Sequence, residues 1–216
     1  VFAATYDTKR ERMQMLYERS LRLIGVVMFP ATLIAIAFAR EGLGWWVGGA
    51  LPSTRAVVLQ ILAFGTFSNG IAQAPLSALQ GAGRPDLVAR LHMVEFPIYA
   101  VGVWYMTVRW GLPGVAAAWS VRVSVDAVAL LVIASRTLGL PFAPTRGGWW
   151  VAGGMMLAFA AVSLVPGPWA RVLVLAIVLL VFAPLSWRWL FNEQERRGLL
   201  GWVGRPQAAP PLSRGQ

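Results

Sequence analysis

Six long stretches of apolar residues follow one another along the chain, separated by short links rich in glycine and proline. Each stretch approaches the roughly 20 residues that a helix needs to cross about 30 Å of hydrocarbon. Because the links carry helix-breaking residues, we expect consecutive stretches to be antiparallel neighbours. The predicted spans are about 20–39, 56–79, 87–108, 112–135, 149–165 and 170–190, with a kink expected at Pro30 in the first.

The remaining segments are polar or mixed in pattern. Residues 1–19 place Met and Leu at helical spacing among charged residues, which fits an interfacial helix on the cytoplasmic side or a helical extension of the first span. Residues 20–135 would then hold four spans, 136–148 a cytoplasmic link, and 149–190 two additional spans. The basic, proline-containing tail 191–216 is predicted to be disordered.

Composition supports a membrane protein. The 216 residues are 57% hydrophobic and only 13% charged, whereas soluble domains carry about 25% charged residues. The predicted fold class is therefore all-α and polytopic, with six transmembrane helices. With no cysteine and one histidine, His92, we expect no catalytic residues, no metal and no cofactor. His92 itself is expected to be an interfacial polar residue.

The net charge of +10 is unevenly distributed. Lys and Arg collect on the cytoplasmic side of membrane proteins, and 14 of the 19 fall on one side of the predicted topology against four on the other. Arg122 lies inside a span. Both chain ends are therefore predicted to be cytoplasmic, and the positive charge is a topology signal rather than evidence for a nucleic-acid partner.

Three ionisable residues lie inside predicted spans, where charge is costly and marks a functional site by default. Glu95 belongs to the third span, and Arg122 and Asp126 to the fourth, four residues apart and so on one helix face. At about 1.5 Å of rise per residue, all three could meet at one level of an antiparallel pair.

Two arrangements of these charges are open. Arg122 could be shared between both carboxylates, or it could pair with Asp126 and leave Glu95 free to bind a proton. Functionally, the three residues could line a cavity for a hydrophilic headgroup or couple transport to H⁺ or Na⁺. They could equally be a structural ion network that holds the third and fourth spans together.

Amides form a second candidate group. Asn69, Gln73 and Gln80 are spaced by four and seven residues and form one stripe of the second span. Their side chains donate and accept hydrogen bonds, which suits sugar hydroxyls as well as ordinary contacts between helices. Arg84 and Arg90, near the predicted cytoplasmic mouth, could contact a diphosphate or simply obey the positive-inside rule.

Several motifs resemble polysaccharide-exporter flippases of the multidrug/oligosaccharidyl-lipid/polysaccharide superfamily. They are residues 61–86 (ILAFGTFSNGIAQAPLSALQGAGRPD), continuing through 89–92 with Glu95, Pro97 and Tyr99. Residues 111–119 (GLPGVAAAW), followed by Arg122 and Asp126, are similar to the next helix of that family, and residues 17–23 to an earlier one. The resemblance covers about 1–135, and the last two spans only in hydropathy.

The resemblance implies a two-lobed transporter in which two six-helix bundles enclose a cavity with alternating access. Such proteins flip polyprenyl-diphosphate-linked oligosaccharide across the cytoplasmic membrane. The chain, which begins with Val1 rather than Met, would be a fragment from the C-terminal lobe. A multidrug or cation antiporter of the same superfamily and a peptidoglycan-precursor flippase are the alternatives. A membrane glycosyltransferase is disfavoured by the short loops, and a structural scaffold by Glu95, Arg122 and Asp126.

Overall fold

The computed structural model describes the backbone of residues 2–48, 53–142, 148–165 and 167–186, and side chains from 11 to 142 and from 152 onward within these ranges. The described residues form helices and connecting turns, without strands. The helices are α1 (Phe2–Ala37), α2 (Ala39–Val47), α3 (Ser53–Gly81), α4 (Pro85–Trp110), α5 (Leu112–Leu138), α6 (Gly148–Leu164) and α7 (Pro168–Leu185).

Five of these helices contain segments long and apolar enough to cross a membrane: Glu11–Ala37, Ser53–Gly81, Pro85–Trp110, Leu112–Leu138 and Pro168–Leu185. They match five of the six predicted spans and confirm the all-α polytopic membrane class. The remaining predicted span, 149–165, corresponds to α6, a 17-residue helix. Its apolar segment among the residues with described side chains is Ala152–Leu164.

The first span and the segment before it form one helix. α1 runs for 36 residues without interruption through Pro30. Its buried stripe includes Tyr17, Leu21, Gly25, Phe29 and Leu33 at intervals of four, the spacing that keeps residues on one helix face. The tail 191–216 and residues 143–147 of the predicted link lie outside the described residues.

A short helix that the sequence analysis did not predict follows the first span. α2 occupies nine residues and ends at Gly48, whose φ of 74° lies in the left-handed region, where glycine carries no steric penalty. Trp45 and Trp46 on this helix are 88% and 80% exposed. Exposed tryptophans beside a membrane span are typical of the interface.

The helices are arranged around a central α3. α3 packs against α1 on one side and against α5 on the other, and α4 packs mainly against α5. α6 and α7 contact mainly α1. The pair α4–α5 and the pair α6–α7 are therefore at opposite ends of the assembly.

Small and hydroxyl-bearing residues allow α3 and α5 to approach closely. A Cβ added at Gly65 would lie 2.5 Å from the Trp119 ring and the Ser120 hydroxyl. Ser120 donates a hydrogen bond to the Ile61 carbonyl at 2.7 Å, and the hydroxyls of Ser124 and Ser68 are hydrogen-bonded at 3.0 Å. Close approach and inter-helix hydrogen bonds are the usual means by which helices associate in lipid.

Aromatic side chains join α6 and α7 to the first two spans. Phe159 of α6 packs against Phe29, Phe64 and Phe67, with ring centroids 5.2, 6.1 and 5.3 Å away. Phe182 of α7 lies 4.7 Å from Phe29. We call Phe29, Phe64, Phe67, Phe159 and Phe182 the phenylalanine cluster.

At one end of this assembly an arginine ties α7 to the junction of α1 and α2. Arg171 donates to the Ala37 carbonyl at 3.3 Å and pairs with Glu41 at 3.2 Å. The same side chain donates to the Val165 carbonyl at 3.2 Å. These bonds satisfy carbonyl groups that helix ends leave without partners.

Candidate functional site

The intramembrane charges of α4 and α5 face one another. Glu95 lies one helical turn from His92 on α4, and Arg122 lies one turn from Asp126 on α5, so each pair shares a helix face. The tight approach of the two helices begins at Gly114, where an added Cβ would overlap the Met106 carbonyl oxygen. We call His92, Glu95, Arg122 and Asp126 the charged cluster.

Within the charged cluster, each acid meets a base from the other helix. Arg122 Nη2 is 3.9 Å from Glu95 Oε2, and His92 Nε2 is 3.2 Å from Asp126 Oδ1. The expectation that the three intramembrane charges meet agrees with this geometry. The pairing of Arg122 with Asp126 is not observed among the described contacts, because the guanidinium turns across the helix interface toward Glu95.

The two carboxylates are buried and the two bases are partly exposed. Glu95 and Asp126 each have a relative exposure of 9%, whereas the side chains of His92 and Arg122 retain 42% and 32%. The Arg122 guanidinium also lies over the Tyr99 ring, 5.2 Å from its centroid, a distance at which a cation is attracted by the ring face. The bases therefore form the accessible side of the cluster.

Hydrogen bonding in the charged cluster is incomplete. Both carboxylate oxygens of Glu95 and the Nε of Arg122 are buried without a hydrogen-bond partner. Buried polar atoms are nearly always paired in folded proteins, and those that are not require a physical explanation. Because the helices hold the opposite charges near each other without closing the bonds, the cluster has capacity for a further ligand or for a change of partners.

The depth of the cluster follows from helix geometry. Glu95 is ten residues from the start of α4 at Pro85, and Asp126 is twelve from the end of α5 at Leu138. At about 1.5 Å per residue these positions lie about 15 and 18 Å from the same end of the pair. Both positions are therefore near the middle of their helices, which are 26 and 27 residues long.

His92 is the member of the cluster that the sequence analysis missed. It was expected to be an interfacial polar residue, but the structure pairs its imidazole with the buried Asp126. The available signal was its spacing, since a residue three positions before Glu95 shares the face that α5 contacts. The sequence analysis considered only the residue type of His92, and not the face of α4 on which it lies.

The amide stripe does share one face of α3, as predicted, and that face is exposed. Asn69, Gln73 and Gln80 are all exposed, and Gln73 donates to the Asn69 carbonyl at 3.4 Å. Gln60, earlier on the helix, instead donates to the Ile36 carbonyl of α1 at 3.0 Å. The stripe is thus available for contacts, while Gln60 serves helix packing.

Gln73 also lines a cleft of about 550 Å³ between α1 and α3. Its wall contains the buried Tyr17, whose hydroxyl has no hydrogen-bond partner. Ser20 and Ser77 contribute further hydroxyl groups, and Arg12 lies on the α1 side. The cleft is therefore mixed in character, with polar groups distributed over an otherwise apolar lining.

The two candidate diphosphate ligands lie together at the start of α4. Arg84 Nε is 3.4 Å from Asp86 Oδ1, and Arg90 Nη2 is 3.8 Å from Asp86 Oδ2. Their side chains are 49% and 77% exposed. Two exposed cations around one carboxylate leave an excess of positive charge at this end of the bundle.

Comparison with known proteins finds a partial similarity. A protein of Shigella flexneri described as "Putative O-antigen transporter" is 31% identical over 112 residues, which is 52% of this chain and 27% of that protein. The chain is similar to part of that protein. It spans about a quarter of its relative's length. No protein-family profile matches the chain, and no solved structure matches it.

Proposed function

We propose that this chain is part of a transporter for surface polysaccharide export. The complete protein flips polyprenyl-diphosphate-linked oligosaccharide across the cytoplasmic membrane and belongs to the multidrug/oligosaccharidyl-lipid/polysaccharide superfamily. The chain supplies helices of the C-terminal lobe, with both of its ends on the cytoplasmic side. It acts by binding and conformational change rather than as an enzyme.

The observation that carries this proposal is the similarity to the Shigella flexneri relative, taken together with the helices long enough to span a membrane. The charged cluster supports it independently. Charged groups at the centre of a spanning segment are expensive and are kept where they face a substrate, an ion or a water-filled cavity.

In the proposed mechanism, the charged cluster changes partners during alternating access. Arg122, held 3.9 Å from Glu95, exchanges the carboxylate for an acidic or hydroxyl group of the headgroup. The exposed amides Gln73 and Gln80 contact sugar hydroxyls, and Arg84 with Arg90 meets the diphosphate at the cytoplasmic mouth. Glu95 and Asp126, released from their partners, can then take up H⁺ or Na⁺.

One observation favours an antiporter of the same superfamily as the second candidate. Glu95 is buried with no hydrogen bond to either oxygen, which suits a coupling ion as well as an oligosaccharide. A peptidoglycan-precursor flippase would use the same architecture with a different lipid-linked sugar. The three candidate functions therefore differ in the transported substrate, and the experiment must identify that substrate.

The test is complementation of a strain that lacks its polysaccharide flippase, using the complete gene product with Glu95→Gln, Arg122→Ala or Asp126→Asn. We expect surface polysaccharide to fall at least about tenfold for each variant at normal protein abundance, because each removes a charge near the membrane centre. Glu11→Gln, which changes an exposed acid on α1 outside the charged cluster, is the matched control and should complement.

Two outcomes would contradict the proposal. If the wild-type protein neither restores polysaccharide nor accumulates lipid-linked oligosaccharide in the outer leaflet, while it confers resistance to cationic drugs, the antiporter function is supported instead. If all three variants complement at wild-type abundance, the charged cluster does not belong to the transport path.

A further inference from the structure

We propose that His92, Glu95 and Asp126 form a binding site for one divalent transition-metal ion, with Zn²⁺ as the best match to the donor set. One potential ligand atom from each residue lies within 4.8 Å of the other two. Two helices supply the donors, since His92 and Glu95 share a face of α4 and Asp126 projects from α5.

The distances are close to those that coordination requires. Bonds of about 2.0–2.2 Å from Zn²⁺ to nitrogen and oxygen place neighbouring ligand atoms about 3.4 Å apart in a tetrahedron. His92 Nε2 and Asp126 Oδ1 are already 3.2 Å apart. A Glu95 carboxylate oxygen lies within 4.8 Å of both atoms, so its side chain must move closer to provide the third bond.

Glu95 provides the second, independent observation. The residue is buried to about nine-tenths, at 9% exposure, and neither carboxylate oxygen accepts a hydrogen bond. The nearest cation, Arg122 Nη2, is 3.9 Å away, which is beyond hydrogen-bonding distance. Glu95 is therefore a buried anionic donor beside an imidazole and a second carboxylate, with Arg122 near it but outside hydrogen-bonding distance.

The chemistry of the donors selects the class of ion. An imidazole nitrogen with two carboxylates suits Zn²⁺ and similar first-row ions, whereas Mg²⁺ and Ca²⁺ prefer all-oxygen sets. Three protein ligands leave one tetrahedral position open for water. His92 is the most exposed of the three donors, with 42% of its side chain exposed.

Metal binding would join α4 to α5 and compete with Arg122 for Glu95. The binding itself does not depend on the proposed function. If the chain does act in transport, the same residues cannot serve the metal and the transported species together, so Zn²⁺ is expected to inhibit.

The complete protein, purified in detergent without a polyhistidine tag, would be titrated with ZnCl₂ by isothermal calorimetry. We expect one Zn²⁺ per chain, with affinity at least about tenfold weaker in His92→Ala, Glu95→Gln and Asp126→Asn, since each removes a ligand. Asp86→Asn, outside the site, should bind as the wild type does. Co²⁺ substitution should give a visible absorption spectrum that His92→Ala abolishes.

A variant that is expected to bind Zn²⁺ more tightly serves as a test that misfolding cannot imitate. Arg122→Gln removes a positive charge beside the site, so the affinity for Zn²⁺ should rise at least about threefold. The proposal is overturned if the wild type binds no Zn²⁺ at micromolar concentrations, or if His92→Ala binds as well as the wild type. Either result would leave the transport proposal standing, because complementation is measured separately.

Discussion

The two ends of the helix assembly are held together by different kinds of side-chain contact. At the α6–α7 end, the phenylalanine cluster fills the interface with rings 4.7–6.1 Å apart. At the α4–α5 end, the charged cluster leaves Glu95 and Arg122 with buried atoms that lack hydrogen bonds. The first end is joined by apolar ring contacts, and the second keeps polar groups without hydrogen-bond partners.

The difference suggests a division between stability and function. Aromatic packing contributes dispersion energy without any polar requirement. A partly satisfied polar network stabilises little, and it persists where a function uses it. We therefore expect changes at the phenylalanine cluster to reduce stability and changes at the charged cluster to reduce transport.

The largest effect on stability should come from Phe159→Ala. Phe159 contacts three other rings, and its truncation leaves a cavity at the centre of the phenylalanine cluster. We expect a loss of about 3 kcal/mol in the free energy of unfolding, measured by denaturation of the complete protein in micelles. Leu157→Ala, on the same helix but 73% exposed, is the control. Equal losses for the two variants would show that the cluster has no special role.

Gly114→Ala should have the next largest effect. The added Cβ would overlap the Met106 carbonyl, which belongs to the backbone and cannot rotate away. Overpacking of this kind costs about 1–3 kcal/mol, and it should also disturb the charged cluster. At Gly102 on α4 an added Cβ meets nothing within 4 Å. Gly102→Ala should therefore be neutral or stabilising, and a thermal denaturation series would separate the two positions.

Glu95→Gln should change stability little. The amide keeps the shape of the side chain and removes a buried charge, while Arg122 remains 32% exposed and stacked on Tyr99. We expect the free energy of unfolding to stay within about 1 kcal/mol of the wild-type value. A loss as large as that of Phe159→Ala would show instead that the charged cluster is a structural ion network, which was the alternative left open by sequence.

The smallest loss of stability is expected at the contact between α3 and α5, which lies between the two ends. Ser124→Ala removes the hydrogen bond to Ser68 across α3 and α5, and such bonds contribute about 0.6 kcal/mol in membranes. Ser163→Ala is the matched control, because its hydroxyl bonds only within its own helix. A loss above that of Gly114→Ala would mean that α3 and α5 depend on hydroxyls more than on close approach.

The sequence was sufficient to predict most of the helices, but it was insufficient to predict some of the contacts between them. Hydropathy located α3, α4, α5 and α7 as spans, because about 20 apolar residues in succession permit little else. It did not predict α2, whose nine residues mix charge, glycine and tryptophan. The span predicted at 149–165 corresponds to α6, which runs over Gly148–Leu164.

Helix periodicity determined by itself which residues share a face. The spacing of Arg122 and Asp126, and of Asn69, Gln73 and Gln80, follows from 3.6 residues per turn and needs no tertiary information. The meeting of Glu95 with Arg122 was predictable to the extent that adjacent helices are antiparallel. The pairing of Asp126 with His92 depended on side-chain directions that this reasoning did not include.

Only the tertiary structure decided which faces meet and which stay open. The packing of α6 and α7 on α1, away from α4, is set by complementary ring shapes around Phe29 and Phe159, and hydropathy carries no information about shape. The convergence of an imidazole and two carboxylates required a particular rotation of α4 against α5. The physical reason is that burial in lipid depends on composition along the chain, whereas contacts between helices depend on rotation about their axes, which the apolar pattern of a membrane helix scarcely constrains.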